Sequence, residues 1–324
     1  MAKVSVDITQ IREAAQRVDG AVHRTPVLTS RGFDEQAGVR AFFKCENFQR
    51  GGSFKIRGAS NFLLSIPPAD LARGVVTFSS GNHAIAVAMA ARRVGTHATL
   101  VMPRDAPRSK LAASRAQGAT IVPYDRATED YAVKAAGIAA ETGATLVPPF
   151  DHPWIQAGQG TAGLEFAEQA PPLDALVVPV GGGGLIAGCT VAAKAANPAI
   201  RVFGAEPELA RDWWLSFEAG RRVEIPMPAT IADGLRTTCP GVLEFEILSR
   251  LAEGIVLVSE EEIVSTVRYL LTRLKILVEP SGAVAAAAVL YRKLPPGLGS
   301  VGVVLSGGNM DFERLAALTA PAPA

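Results

Sequence analysis

The feature that most constrains this chain is a pairing, repeated along its length, of a short β-branched run with an alanine-rich stretch of helical length. Residues 74–78 precede 84–94, residues 99–102 precede 109–117, and residues 120–123 precede 127–142. The pattern returns as 175–180 followed by 185–196, then as the runs 202–205 and 301–305. Strands that alternate with helices are joined by crossovers and lie parallel, with the helices on the sheet faces. The spacing therefore predicts an α/β fold of two open, twisted, mostly parallel sheets flanked by helices. Pro-rich segments at IPPAD (66–70) and VPPFDHP (147–153) mark the crossings between the sheets. They divide the chain into a large domain, 1–67 with 152–324, and a small one, 68–151. Ligands of open parallel sheets sit beyond the carboxyl ends of the strands, so the cleft between the two domains is the expected binding place.

Composition narrows the partners. The net charge of +1 comes from 32 basic and 31 acidic residues scattered along the chain. No basic stripe or polybasic patch is present to attract nucleic acid or a membrane surface. Cys45, Cys189 and Cys239 are odd in number and far apart, which argues against a disulfide framework or a structural zinc site and for a reducing cytoplasm. The first residues lack a continuous apolar run, and no stretch of about 18 apolar residues occurs, so neither secretion nor membrane spanning is expected. The APAPA tail is expected to fray. Small molecules and copies of the same chain remain as partners, with a homodimer expected.

Four segments carry chemistry. In NFQRGGSFKIRGA (47–59) two glycines free the backbone, Ser53 is placed to cap a helix, and Lys55 falls in its first turn. The positive end of the helix dipole and desolvation lower the proton affinity of an amine there, as covalent capture of a carbonyl requires. Taken alone, Lys55 is more often a surface lysine. TFSSGNHA (77–84) gathers hydroxyls, an amide and an imidazole at a helix N-terminus, which suits a carboxylate or equally an ordinary capped helix. VVPVGGGGLIAG (177–188) ends a strand in four glycines and opens a helix of small residues. That is a phosphate cradle without the lysine of a nucleotide loop, against the bland reading of a close-packing turn. VVLSGGNM (303–310) is a fourth strand end rich in hydroxyl and amide groups. One cleft gathers all four.

Together SFKIRGA, SSGNHA, GGGGLIAG, GAEP, IADGL, VEPSGA and SGGN resemble, in order and approximate spacing, the pyridoxal-phosphate (PLP) dependent serine/threonine dehydratase and serine racemase family. The resemblance runs from about Ile11 and HRTPV (23–27) to the last of these motifs. It implies a fold of the tryptophan-synthase-β-like type with PLP in the cleft. It implies that Lys55 holds the cofactor covalently and removes the Cα proton, that Phe54 flanks the ring, and that Asn82 bonds the 3-oxygen. Gly181, Gly182, Gly183 and Gly184 would bind the phosphate, and Ser306 would face the pyridine nitrogen. A hydroxyl does not keep that nitrogen protonated as a carboxylate would, so expulsion of a β-hydroxyl is favoured over transamination. Ser79, Ser80, Asn82 and His83 are the implied carboxylate site. Glu206, Ala210 and Asp212 match the positions where family members hold Mg²⁺ or Ca²⁺, although two solvated surface acids would look the same in a sequence.

The implied activity is an ammonia-lyase, converting L-threonine or L-serine to a 2-oxo acid and ammonium. Serine racemisation is the alternative through Ser80, on the ring face opposite Lys55. The chain departs from the family at Ile85, where Gln is usual, and at Tyr131, where serine racemases carry a substrate-gating arginine. Thr237 and Thr238 add hydroxyls near the expected substrate, which brings 3-hydroxyaspartate forward as a competing substrate. A β-replacement synthase and a non-enzymatic sensor are the other classes; SSGNHA speaks against the first, and the retained lysine and glycines against the second. No appended regulatory domain is expected. His23, His97, His152 and Cys45 are read as structural, and Trp213 and Trp214 as core or subunit-contact residues.

Overall fold

Runs such as ALVVP and SVGVVL are apolar at successive positions, which suits a parallel strand covered on both faces. The computed structural model describes residues 6–79, 81–106 and 108–320. Its strands are β1 (Val27–Thr29), β2 (Arg40–Cys45), β3 (Val75–Phe78), β4 (Ala98–Pro103), β5 (Thr120–Tyr124), β6 (Thr145–Leu146), β7 (Ala175–Pro179), β8 (Arg201–Pro207), β9 (Gly254–Val258) and β10 (Ser300–Leu305). They form a six-stranded sheet in the order β1-β2-β10-β7-β8-β9 and a four-stranded sheet in the order β5-β4-β3-β6. Only β1 and β2 pair antiparallel among the described strands. The mostly parallel two-sheet α/β architecture is the one the sequence predicts. β10, buried at every residue, lies centrally: Val303 stands opposite Phe43 of β2 and Val177 of β7.

Helices cover the larger sheet on both faces. The helix Pro280–Leu290 is buried at every residue and packs on β7, β8 and β10. Across the sheet, the helices Pro153–Gln169 and Gly184–Ala196 meet so closely that a Cβ on Gly188 would lie 2.4 Å from the Gln156 carbonyl oxygen. Only glycine permits that approach. Beneath them four charged residues form an ion cluster. Arg57 donates to both oxygens of Glu46 (2.7 and 2.8 Å) and both of Glu165 (2.8 and 2.9 Å), while Lys44 reaches Glu165 at 2.6 Å. Burial alone would push the Glu46 carboxyl up, but Arg57 holds it below its ordinary range.

Two local expectations are corrected. Ser53 caps no helix: its backbone is extended (φ −163°) and bridged to Gly307, and the helix Lys55–Ser65 starts after Phe54 with no side-chain cap. The helix expected from residue 127 begins at Tyr131, because the Asp130 carboxylate accepts from the amides of Ala132 and Val133 and fixes the start there. Among the described residues no helix is long and apolar enough to cross a membrane.

Candidate active site

The carboxyl ends of β2, β3, β7 and β10 turn toward one cleft of about 600 Å³. The lysine loop and the loop after β10 are sewn together: Phe54 N–H donates to Ser306 O at 3.1 Å and Gly308 N–H to Gly52 O at 2.9 Å. Lys55 opens its helix inside the cleft, with Nζ 2.9 Å from Pro149 O and 5.2 Å from the centre of the Phe54 ring. Burial lowers its amine to about 8, partly offset by Glu244, which favours the ammonium. Desolvation is thus the main cause of a more readily freed amine.

Asn82, at the start of the helix Asn82–Val94, faces the lysine loop from the smaller sheet. Its Nδ2 donates to Glu279 Oε1 at 2.6 Å, and its Oδ1 accepts from Asn309 Nδ2 at 2.9 Å. Asn309 also donates to Gly51 O at 2.7 Å, so one amide ladder joins both sheets to the turn before Lys55. Burial pushes Glu279 up to about 7. Ser79 Oγ accepts from Gly81 N–H at 3.2 Å. His83 is buried, its Nε2 3.4 Å from Val147 O, and burial with the nearby Lys55 lowers it to about 3, so it is neutral. Ser80, expected as a catalytic residue, lies outside the described residues.

Gly181 to Gly184 line the cleft wall between β7 and the helix Gly184–Ala196, with Ser306 buried on the same lining. Gly183 has φ +100°, and a Cβ there would meet the Trp213 ring at 2.5 Å; on Gly182 it would meet the Phe150 ring at 2.3 Å. Side chains at these positions would collide with those rings and displace the loop. Trp213 is fully buried and its indole N–H donates to Gly181 O, so it supports the loop as well as the core.

Glu206 and Asp212 are brought together and fully buried. Glu206 accepts from the amides of Trp213 (3.1 Å) and Trp214 (3.0 Å), capping the helix Asp212–Ala219, while Asp212 Oδ1 has no partner. Burial and mutual repulsion push Glu206 well up, and burial raises Asp212 to about 7. Two carboxyl groups buried together without a counter-charge repel one another when both are ionised. Among the described residues no three His, Cys, Asp or Glu side chains cluster as a metal site by themselves.

At the mouth, Lys110 bonds Asp233 at 2.9 Å, with Arg314 3.6 Å from the same carboxylate. Tyr131 leans on Phe78 and Tyr124, with ring centres 5.0 and 5.8 Å away. Among the described residues five basic side chains, Lys55, Lys110, Arg126, Arg236 and Arg314, line the cleft with three acidic ones, Asp105, Asp233 and Glu279. Asp233 and Glu279 stand inside IADGL and VEPSGA, motifs quoted above without a role for either acid. Phe150 and Lys110 carried no signal in the sequence. His152 accepts from Trp154 N–H as a helix cap, and Cys45 is buried.

The chain matches the family described as pyridoxal-phosphate dependent enzyme over residues 18–307. It is 46% identical over 306 residues to L-threo-3-hydroxyaspartate ammonia-lyase of Pseudomonas sp., covering 94% of this chain and 96% of that one. With L-threonine ammonia-lyase of Geobacter sulfurreducens it shares 43% identity, covering 95% of this chain and 76% of the relative. The structure of maize serine racemase superimposes with a TM-score of 0.93 at 41% identity, covering 97% of each chain.

Proposed function

The chain belongs to the family of pyridoxal-phosphate dependent enzymes, and from that premise we propose that it is an ammonia-lyase that removes water from a small β-hydroxy amino acid. The products are a 2-oxo acid and ammonium: pyruvate from L-serine, 2-oxobutanoate from L-threonine. One observation carries the reading. The buried Lys55, lowered to about 8, faces the same cleft as the glycine loop, Asn82 and Ser306.

When bound, the cofactor supplies an electron sink conjugated to the substrate α-carbon. Lys55 is the residue that joins it, and once displaced its Nζ takes the Cα proton; an amine near 8 is free often enough at neutral pH to do so. The amides of Gly181 to Gly184 and the N-terminus of their helix would hold the phosphate. Their lack of Cβ atoms lets the loop pack closely against Phe150, Trp213 and Glu244. Phe54 would back the ring, Asn82 would orient its 3-oxygen, and the Ser306 hydroxyl would face its nitrogen without charging it. Ser79, Ser80, Asn82 and the neutral His83 take the substrate carboxylate. Racemisation through Ser80 is a side activity of the same proton removal.

A second reading, with 3-hydroxyaspartate as substrate, is favoured by the four basic side chains besides Lys55 described in the lining, Lys110, Arg126, Arg236 and Arg314, which suit a second carboxylate. A Mg²⁺ or Ca²⁺ ion at Glu206, Ala210 and Asp212 would act through Trp213, whose helix begins at that site and whose ring supports Gly181. The division into a large domain (1–67 and 152–324) and a small one (68–151) is supported by the separate six-stranded and four-stranded sheets. Exposed Phe48 and Leu277, held together by the Asn47 bond to Leu277 O, offer a homodimer face in a cytoplasmic enzyme. The test is release of 2-oxo acid from L- and D-serine, threonine and the 3-hydroxyaspartate isomers, with borohydride trapping of the cofactor. Trapping on a lysine other than Lys55, or no 2-oxo acid from any of them, overturns the reading.

A further inference from the structure

Glu244 lies behind the glycine loop and has no part in the chemistry above. It stands in the first turn of the helix Val242–Leu251 and is fully buried. Its Oε1 accepts from Asp151 N–H at 2.7 Å, and its Oε2 has no hydrogen-bond partner among the described residues. The loop is built around it. A Cβ on Gly183 would lie 2.8 Å from Glu244 Cβ, one on Gly184 3.6 Å from Oε1, and one on Gly241 2.0 Å from Oε2. Two charged groups face it: Asp151, whose carboxylate accepts from Leu243 N–H at 3.0 Å and opposes a second negative charge, and Lys55, which attracts one. Gln156 and Trp213, buried and uncharged, complete the surroundings.

A carboxylate against the back of a loop that holds a dianion repels it strongly in so dry a place, and the neutral acid is the less costly form. We propose that Glu244 is the charge compensator of the glycine loop: it takes a proton from solvent when a phosphate dianion fills the loop and returns it when the loop empties. The inference rests on the reading of that loop as the phosphate site. The only bond made is O–H on the carboxylate, with the proton drawn from buffer or water, and the only bond broken is the donor's. The consequence falls on Lys55. An uncompensated dianion would stabilise the ammonium and withhold the free amine, whereas protonation of Glu244 removes one negative charge as the others arrive. Burial already holds Glu244 up at about 7, so the exchange costs little at neutral pH.

Sulfate tests this on the full chain before cofactor is added, because it is a dianion that does not itself titrate near neutral pH. Infrared difference spectra on adding sulfate at pH 8 should show a carboxylic-acid carbonyl band in the wild type and none in E244Q. Capture of phosphate-free pyridoxal by Lys55 at pH 7 should change by less than about twofold with saturating sulfate in the wild type and slow by more than about fivefold in E244Q. Glu279 also stands near 7 in the same cleft, so the band is assigned to Glu244 by its loss in E244Q and its persistence in E279Q; a band kept in E244Q and lost in E279Q overturns the role of Glu244. Sulfate that binds without producing the band, or that slows both proteins equally, overturns the role of Glu244 alone. Sulfate that binds neither protein overturns the phosphate loop and this inference with it.

Discussion

Replacing Arg57 by Met should cost about 3–5 kcal/mol, the scale for removing one partner of a buried ion pair. The size follows from what is left behind. Arg57 and Glu46 are both fully buried, and Lys44, Glu46, Arg57 and Glu165 form a set of two cations and two carboxylates. Without Arg57, Glu165 keeps Lys44 at 2.6 Å, but Glu46 keeps the Thr25 hydroxyl at 2.5 Å and a charge attraction to Lys44 with no direct bond to it. The orphan is therefore the Glu46 carboxylate. Against a total stability of about 5–15 kcal/mol the loss is a large fraction, and the melting temperature should fall by roughly 5–10 °C. Since Lys55 is two residues away on the same helix, cofactor retention should fall as well. The sign with pH is specific. Glu46 is held low in the native wild type, so its contribution is present above the unfolded value and lost as pH falls through the folded one. In the variant, burial instead raises Glu46, and protonation relieves the strain, so the gap between the proteins narrows from pH 7 to pH 5. Denaturant melts of wild type, R57M and the double variant R57M/E46Q decide the matter. A double variant no more stable than R57M would refute the charge argument and leave lost packing as the cause.

Gly183→Ala forces an L side chain into φ +100° against the Trp213 ring, a strain of about 1–2 kcal/mol, and should weaken cofactor binding about tenfold or more; an unchanged Kd by absorbance titration removes Gly183 from the cradle. Glu279 is raised to about 7 by burial, so the native state holds its proton more tightly than the unfolded chain. Its contribution is full below its ordinary carboxyl range and is lost as pH rises through about 7. E279Q should then show a flatter fall in stability between pH 5 and 8, and a curve parallel to the wild type would contradict the assignment. Mg²⁺ or Ca²⁺ should raise the melting temperature of the wild type by mass action and leave the E206A/D212A double variant unmoved; equal responses would mean that no ion binds there.

What was legible in the sequence was what is local. A strand that ends in GGGG or SGG leaves amides without strand partners, so the glycine turn and the lysine turn that meet in the cleft could be read from a few adjacent residues. The strands expected at 301–305 and 202–205 match β10 and β8 to within two residues at either end, because their neighbours in the sheet demand apolar side chains on both faces. β2 was harder: RAFFKC carries Lys44 at a fully buried position, and nothing in the segment shows that Glu165, 121 residues away, would neutralise it. The Ser53 cap failed for the same reason, since the partner that draws that residue into an extended bridge is Gly307 at the far end of the chain.

Glu244 is the limiting case. In CPGVLEFEIL it reads as one acid of two on an amphipathic helix, and only the fold brings Gly183, Gly184 and Gly241 around it. A buried, half-partnered carboxyl is normally a cost, and here it lies where a bound dianion would change its charge. Legibility thus follows how chemistry is assembled. Backbone donors at a strand end are encoded in a contiguous motif, while the proton balance that lets Lys55 work beside them is encoded in contacts between segments, here residues 151, 183 and 244, which no spacing rule connects.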